Sequence, residues 1–206
     1  MRNKKLLVLV ECALLIAVSA VLCEFPKFKF LENGGSITFC SMLPIILISY
    51  IYGIKWGMMS STVFALIQIF TGFSGPGTTA VAFIVVLLFD YLLAFAVLGF
   101  GGMFKGKFNN VRLELTAGAA VVIALRFVCH FISGVAVWGE YAEWFFENMG
   151  NMGNAILRSC SGFGLSCVYS AIYNGSFMLP ELIITCVVAY LAGPAIIDIQ
   201  KKIVKE

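Results

Sequence analysis

Residues 81–100 read VAFIVVLLFDYLLAFAVLGF, an apolar run of bilayer-spanning length interrupted at its centre by Asp90 and Tyr91. About 20 predominantly apolar residues cross the hydrocarbon core, and a charge at mid-depth costs about 2.5–3.5 kcal/mol on insertion scales. A carboxylate kept at that depth is functional by default, so something must compensate Asp90, and a cationic ligand would do so. Two other apolar stretches are interrupted in the same way, one by His130 and one by Asn174.

The rest of the chain has the same character. Of 206 residues, 61% are hydrophobic and 12% charged, with mean hydropathy +0.97, whereas soluble domains are roughly half apolar. Apolar segments at 6–23, 37–52, 57–71, 80–104, 113–137 and 173–199 predict an all-α integral membrane bundle of six transmembrane helices. They leave no room for a separate soluble domain, so residues 1–206 form one unit. The second and third segments are short for a span, and Pro44 is a candidate kink in the second.

An even number of spans puts both termini on one side. That side then carries Arg2, Lys4, Lys5, Lys55, Lys105, Lys107, Arg112, Lys201, Lys202 and Lys205, ten of the fourteen basic residues. Positive loops stay inside, so both termini are expected in the cytoplasm and the protein in the cell membrane, surrounded by lipid. The net charge of +3 is a topology signal, and no basic and aromatic patch suggests nucleic acid. The start MRNKK with its apolar run is expected to be a retained helix, since an A-x-A-type cleavage site is lacking. Leu22 before Cys23 argues against a lipid anchor. The seven cysteines form no CxxC pair and read as small packing residues.

Helical spacing organises the remaining polar residues. Arg126, His130, Gly134 and Trp138 recur every four residues and share one helix face. Gly134 leaves space between an imidazole and an indole that a flat ring fits, although a lone histidine in an apolar helix is more often a packing residue. Asp90 pairs structurally with Arg126 or faces a cavity. Glu11 and Glu181 read first as caps or interhelical hydrogen bonds. Asn174 with Gly175 is a pair that loosens a helix start and presents an amide, with Tyr169 beside the same mouth. Ala13 and Ala17 form a small-xxx-small pair, which serves either internal packing or an external helix.

No phosphate-binding loop, HExxH or G-x-S-x-G occurs, so ATP hydrolysis and hydrolytic enzyme chemistry are not expected. A proton-coupled secondary transporter of a small cationic metabolite, relaying protons through Asp90, Glu181 or His130, is the alternative. The absence of obvious internal duplication counts modestly against it.

The runs GGSITFCSMLPI, FDYLLAF, CHFISGVAVWGEYA and YSAIYNGSFMLPE, in this order, resemble the thiamine-specific substrate-binding subunits of energy-coupling factor transporters. The resemblance implies that Asp90 offsets the thiazolium charge and that Tyr91 contacts polar groups of the ligand. It implies that His130 and Trp138 stack on the thiamine rings, Gly134 gives backbone room, and Tyr169 and Asn174 hydrogen-bond the ligand. Family members also use glutamate where this chain has Asp90. The loop PKFKFLENGGS, residues 26–36, matches the lid, with Phe28 or Phe30 in place of a tryptophan that some relatives carry. The stretch 143–167 is longer than the family pattern and bears on where Tyr169 sits. Ala13 and Ala17 match the surface that docks on the transmembrane coupling protein, whose two ATPase subunits energise uptake while the binding subunit topples in the membrane. No cofactor or metal is implied.

Overall fold

The computed structural model describes residues 4–25, 27–28, 35–73 and 79–205, with side chains to residue 202. Helix α1 (Lys4–Glu24) leads into a two-stranded antiparallel hairpin, β1 (Lys27–Phe28) and β2 (Ile37–Thr38), in which Lys27 pairs with Thr38 and Phe28 with Ile37. Then come α2 (Leu43–Tyr52), α3 (Ile54–Gly72), α4 (Ala80–Phe100) and α5 (Val111–Ala136). A 3₁₀ turn at Trp138–Tyr141, two short helices α6 (Ala142–Glu147) and α7 (Gly150–Ser159), and the long α8 (Gly162–Lys205) complete the described chain.

Sequence explains the anatomy at several joints. Pro44 lies in the first turn of α2, where its missing N–H is no loss, so it starts the helix and does not kink it. Gly53, at φ +91°, alone separates α2 from α3, a backbone state that favours glycine. Asn110 caps α5 by accepting from the Arg112 N–H at 2.9 Å. Helix α2 is buried from Leu43 through Tyr50 on every side, which its continuous apolar sequence allows, and it forms the centre of the core.

Among the described residues, four helices, α1, α4, α5 and residues 162–202 of α8, are long and apolar enough to cross a membrane. The ten residues of α2 rise only about 15 Å, short of the roughly 30 Å core. Helix α3 has the length but carries Lys55, Ser60, Ser61, Thr62 and Gln68. The outer faces of the long helices are rich in exposed Leu, Val, Ile and Phe, as lipid contact requires. Gln200 donates to Glu11 at 3.3 Å and to the Tyr52 hydroxyl at 3.0 Å, and Tyr52 donates to Glu11. The beginning of α1 and the end of α8 therefore share one end of the bundle, and Glu11 is the interhelical hydrogen-bond node expected of it.

The last helix departs from the sequence reading. It begins at Gly162, not at residue 173, and its 44 residues would extend about 66 Å if straight. Asn174 and Gly175 consequently lie well inside the helix and do not loosen its start. The added turns are held by tertiary packing: Leu165 and Tyr169 bury against Ala142 and Phe146 of α6. The longer stretch 143–167 is thus mostly helical, and Tyr169 lies on the same helix as Asn174.

Candidate functional site

Asp90 sits in the middle of a π-helical segment of α4, Leu87–Leu93, with α-helix before and after it. A π turn inserts an extra residue per turn and is found mostly where function holds it. Around the Asp90 carboxylate, His130 Nδ1 lies 2.9 Å from Oδ1, while Ser133 Oγ donates to Oδ2 at 2.6 Å and the Trp138 indole N–H at 3.3 Å. These side chains are largely withdrawn from solvent, at 16% exposure for Asp90 and 10% for His130.

Arg126 determines which way the imidazole points its proton. Its Nε donates to His130 Nε2 at 3.3 Å, and a guanidinium has no acceptor, so Nε2 is bare and Nδ1 carries the hydrogen given to Asp90. The guanidinium also lies 4.3 Å over the Phe95 ring. Asp90 and Arg126 are therefore linked through a neutral histidine. Of the two readings from sequence, direct pairing is replaced by a relay that orients the carboxylate.

The space beside Gly134 is filled by α8. A Cβ at Gly134 would collide with Ser170 Oγ and come within 3.0 Å of Asn174 Nδ2, so the glycine serves close helix approach. The expected gap for a flat ring between His130 and Trp138 is thus corrected: small side chains of α8 occupy it. Asn174 Nδ2 reaches the His130 carbonyl at 3.2 Å, the Ser170 carbonyl at 3.0 Å and Ser170 Oγ at 3.1 Å. Ser170 donates to the Phe131 carbonyl at 2.9 Å, cross-linking the same two helices. Gly134→Ala is expected to lower thermal stability, and Ser170→Gly in the same chain, which clears the clash but gives up the bonds of Ser170, should recover only part of it. Unchanged melting in Gly134→Ala would refute the close approach.

Aromatic rings line the adjoining wall. Tyr169 is buried against Phe145 at 5.2 Å and Tyr173 at 5.4 Å, Trp138 lies 6.0 Å from Tyr141, and Phe177 meets His130 edge-on at 6.0 Å. Asp90, His130, Gly134, Trp138 and Asn174 are brought together, with Tyr169 in the flanking aromatic cluster. Tyr91 is not in that group: its hydroxyl donates to the Gly72 carbonyl at 2.8 Å and its ring meets Phe73 at 5.1 Å, tying α4 to the end of α3. Glu181 is buried elsewhere, holding Thr38 of β2. Ala13 and Ala17 are exposed on α1, whose buried face is Cys12, Ile16, Ser19 and Cys23. Phe28 of β1 is 62% exposed, whereas Phe30 and residues 26 and 29–34 of the expected lid fall outside the described residues.

Ser133, Ser170 and Phe177 were missed in the sequence. Each lies three or four residues from a named site residue on its own helix, a spacing that was legible, but serine and phenylalanine are too common in membrane helices to stand out. What the cluster offers chemically is a fixed carboxylate with all its orienting donors in place, bordered by polarizable ring faces. That arrangement suits an organic cation.

A family model described as thiamine transporter protein matches residues 9–150, taking in Asp90, His130, Gly134 and Trp138. The chain belongs to the thiamine transporter family. Thiamine transporter ThiT of Bacillus subtilis is 28% identical to this family member over 214 residues, covering 97% of this chain and 98% of that protein. A solved structure of ThiT from Listeria monocytogenes shares the fold, with a TM-score of 0.66 at 23% identity, over 92% of this chain and 94% of the other. As a thiamine transporter family protein, the chain is a membrane protein of thiamine uptake and not an enzyme.

Proposed function

We propose that this chain binds thiamine at the Asp90 cluster on the outer side of a prokaryotic plasma membrane and is the substrate-binding subunit of an energy-coupling factor transporter. The observation that carries the binding site is the buried Asp90 carboxylate, oriented by His130, Ser133 and Trp138 beside a wall of aromatic rings. Thiamine is a permanent cation that cannot shed its charge on burial, so it needs a fixed anion and ring faces together. Asp90 supplies the charge, His130 and Trp138 the adjoining rings, Gly134 the close approach, and Asn174 and Tyr169 polar groups of α8. Tyr91 would join them by releasing Gly72.

Six spans with cytoplasmic termini are the topology that accompanies this function. The Glu11–Gln200 contact supports a shared end for the two termini, and the ten basic residues on that side support its being cytoplasmic. Energy would come from two ATPase subunits acting through a transmembrane coupling protein docked on Ala13 and Ala17, with the subunit toppling to release thiamine inside. Proteoliposomes holding this chain alone under a proton gradient are expected to accumulate no thiamine; accumulation would establish proton coupling instead.

Binding is tested by intrinsic tryptophan fluorescence of the purified, detergent-solubilised chain. Thiamine is expected to quench it saturably, riboflavin and biotin to have no effect, and Trp138→Phe to remove most of the response, leaving the signal of Trp56 and Trp144. A folded preparation that does not respond to thiamine overturns the assignment.

A further inference from the structure

Segment 35–41, which contains β2, leads from the hairpin into α2 and is seated on α8 by specific contacts. Thr38 donates to one oxygen of Glu181 twice, from its backbone N–H at 2.6 Å and from its hydroxyl at 2.5 Å. With its proton committed to Glu181, the Thr38 hydroxyl accepts from Ser41 at 2.7 Å. Gly35 lies flat against Phe177, where any Cβ would collide with the ring. Phe177 stands one turn before Glu181 and meets His130, the residue that orients Asp90. The Thr38 latch and the Asp90 cluster thus meet on one face of α8.

Glu181 is a costly way to make this joint. It is only 3% exposed, and its second oxygen is buried with no partner among the described residues. What holds it there is the pair of bonds from Thr38, which satisfies its other oxygen.

We propose that Glu181 is a positioning residue for thiamine retention: by pinning Thr38, and with it the seat of Gly35 on Phe177, it sets how fast bound thiamine leaves. The inference rests on the thiamine site at Asp90 argued above. Glu181 itself does not touch the ligand.

Stopped-flow tryptophan fluorescence on the full chain in lipid nanodiscs gives association and dissociation rates separately. Glu181→Ala should release thiamine about tenfold faster, the factor expected when both bonds from Thr38 are lost, with association changed by less than about twofold. Glu181→Gln, whose amide oxygen still accepts from Thr38, should fall between Glu181→Ala and the parent. Thr38→Val keeps the side-chain shape and loses only the hydroxyl, so it should release thiamine about threefold faster. Combined with Glu181→Ala it should add nothing, because both act on one joint. Dissociation within about twofold of the parent in Thr38→Val and Glu181→Ala, or multiplicative effects in the double variant, would overturn the proposal. Should Glu181→Ala fail to fold, Thr38→Val decides by the same criterion. Asp90→Asn run in parallel separates the two readings: loss of binding there with unaltered release in the Thr38 and Glu181 variants sinks only the latch. A parent chain that binds no thiamine sinks both.

Discussion

Asp90→Asn is expected to weaken thiamine binding by about two to three orders of magnitude while the bundle stays folded. Removing one partner from a buried charge pair costs about 3–5 kcal/mol, and each 1.4 kcal/mol is tenfold in affinity. The fold should survive because an asparagine oxygen still accepts from Ser133 and Trp138, which now meet the carboxylate at 2.6 and 3.3 Å. The loss is confined to the contact with His130 Nδ1, whose hydrogen would meet an amide NH₂, at a cost near that of one hydrogen bond, about 1 kcal/mol. Isothermal calorimetry with thiamine, together with size-exclusion and melting profiles, checks both halves. Asp90→Glu should retain binding, since it keeps the charge. Affinity unaltered in Asp90→Asn would make Asp90 a counter-ion for Arg126 and nothing more.

The second large effect concerns uptake without binding. Ala13→Leu combined with Ala17→Leu is expected to abolish thiamine uptake in cells while thiamine binding to the purified chain stays intact. Both alanines are exposed, and the residues α1 buries are Cys12, Ile16, Ser19 and Cys23, so added isobutyl groups stand on the outer face and disturb no internal contact. Small-xxx-small surfaces let two membrane helices approach closely, and two leucines hold such a pair apart. Uptake by cells lacking other thiamine transport, with co-purification of the coupling protein, measures the loss. Persistent uptake would remove the docking role, and loss of binding as well would mean that the pair matters within the subunit.

The candidate site was legible from sequence to the extent that it depends on one helix. Residues 126, 130 and 134 share a face because helical winding dictates it, and Arg126 and His130 do meet, at 3.3 Å, whereas Trp138 lies past the end of α5 in the 3₁₀ turn and reaches Asp90 from there. Across helices the spacing said less. Asp90 lies 40 residues from His130 in sequence, so whether it meets Arg126 directly or through the imidazole depends on how α4 and α5 are set against each other. The same holds for Gly134: a missing side chain is visible in the sequence, but its being filled by Ser170 depends on α8. Tyr91 follows Asp90 directly, yet its hydroxyl goes to Gly72, at the end of α3.

Composition and periodicity alone determined that this is a helical membrane protein with an acid at mid-span, because hydrocarbon tolerates few charges and no unpaired backbone. They also determined the polar stripe of α5 and the small outward face of α1, both products of local winding. The start of α8, the neutral tautomer of His130 and the grip of Glu181 on Thr38 were decided only by the tertiary structure. The extra turns of α8 exist because Leu165 and Tyr169 find a partner in α6, and the imidazole proton is placed by Arg126 on one side and Asp90 on the other. Such states are fixed by which groups are brought within hydrogen-bonding distance, and helix against helix is what brings them there.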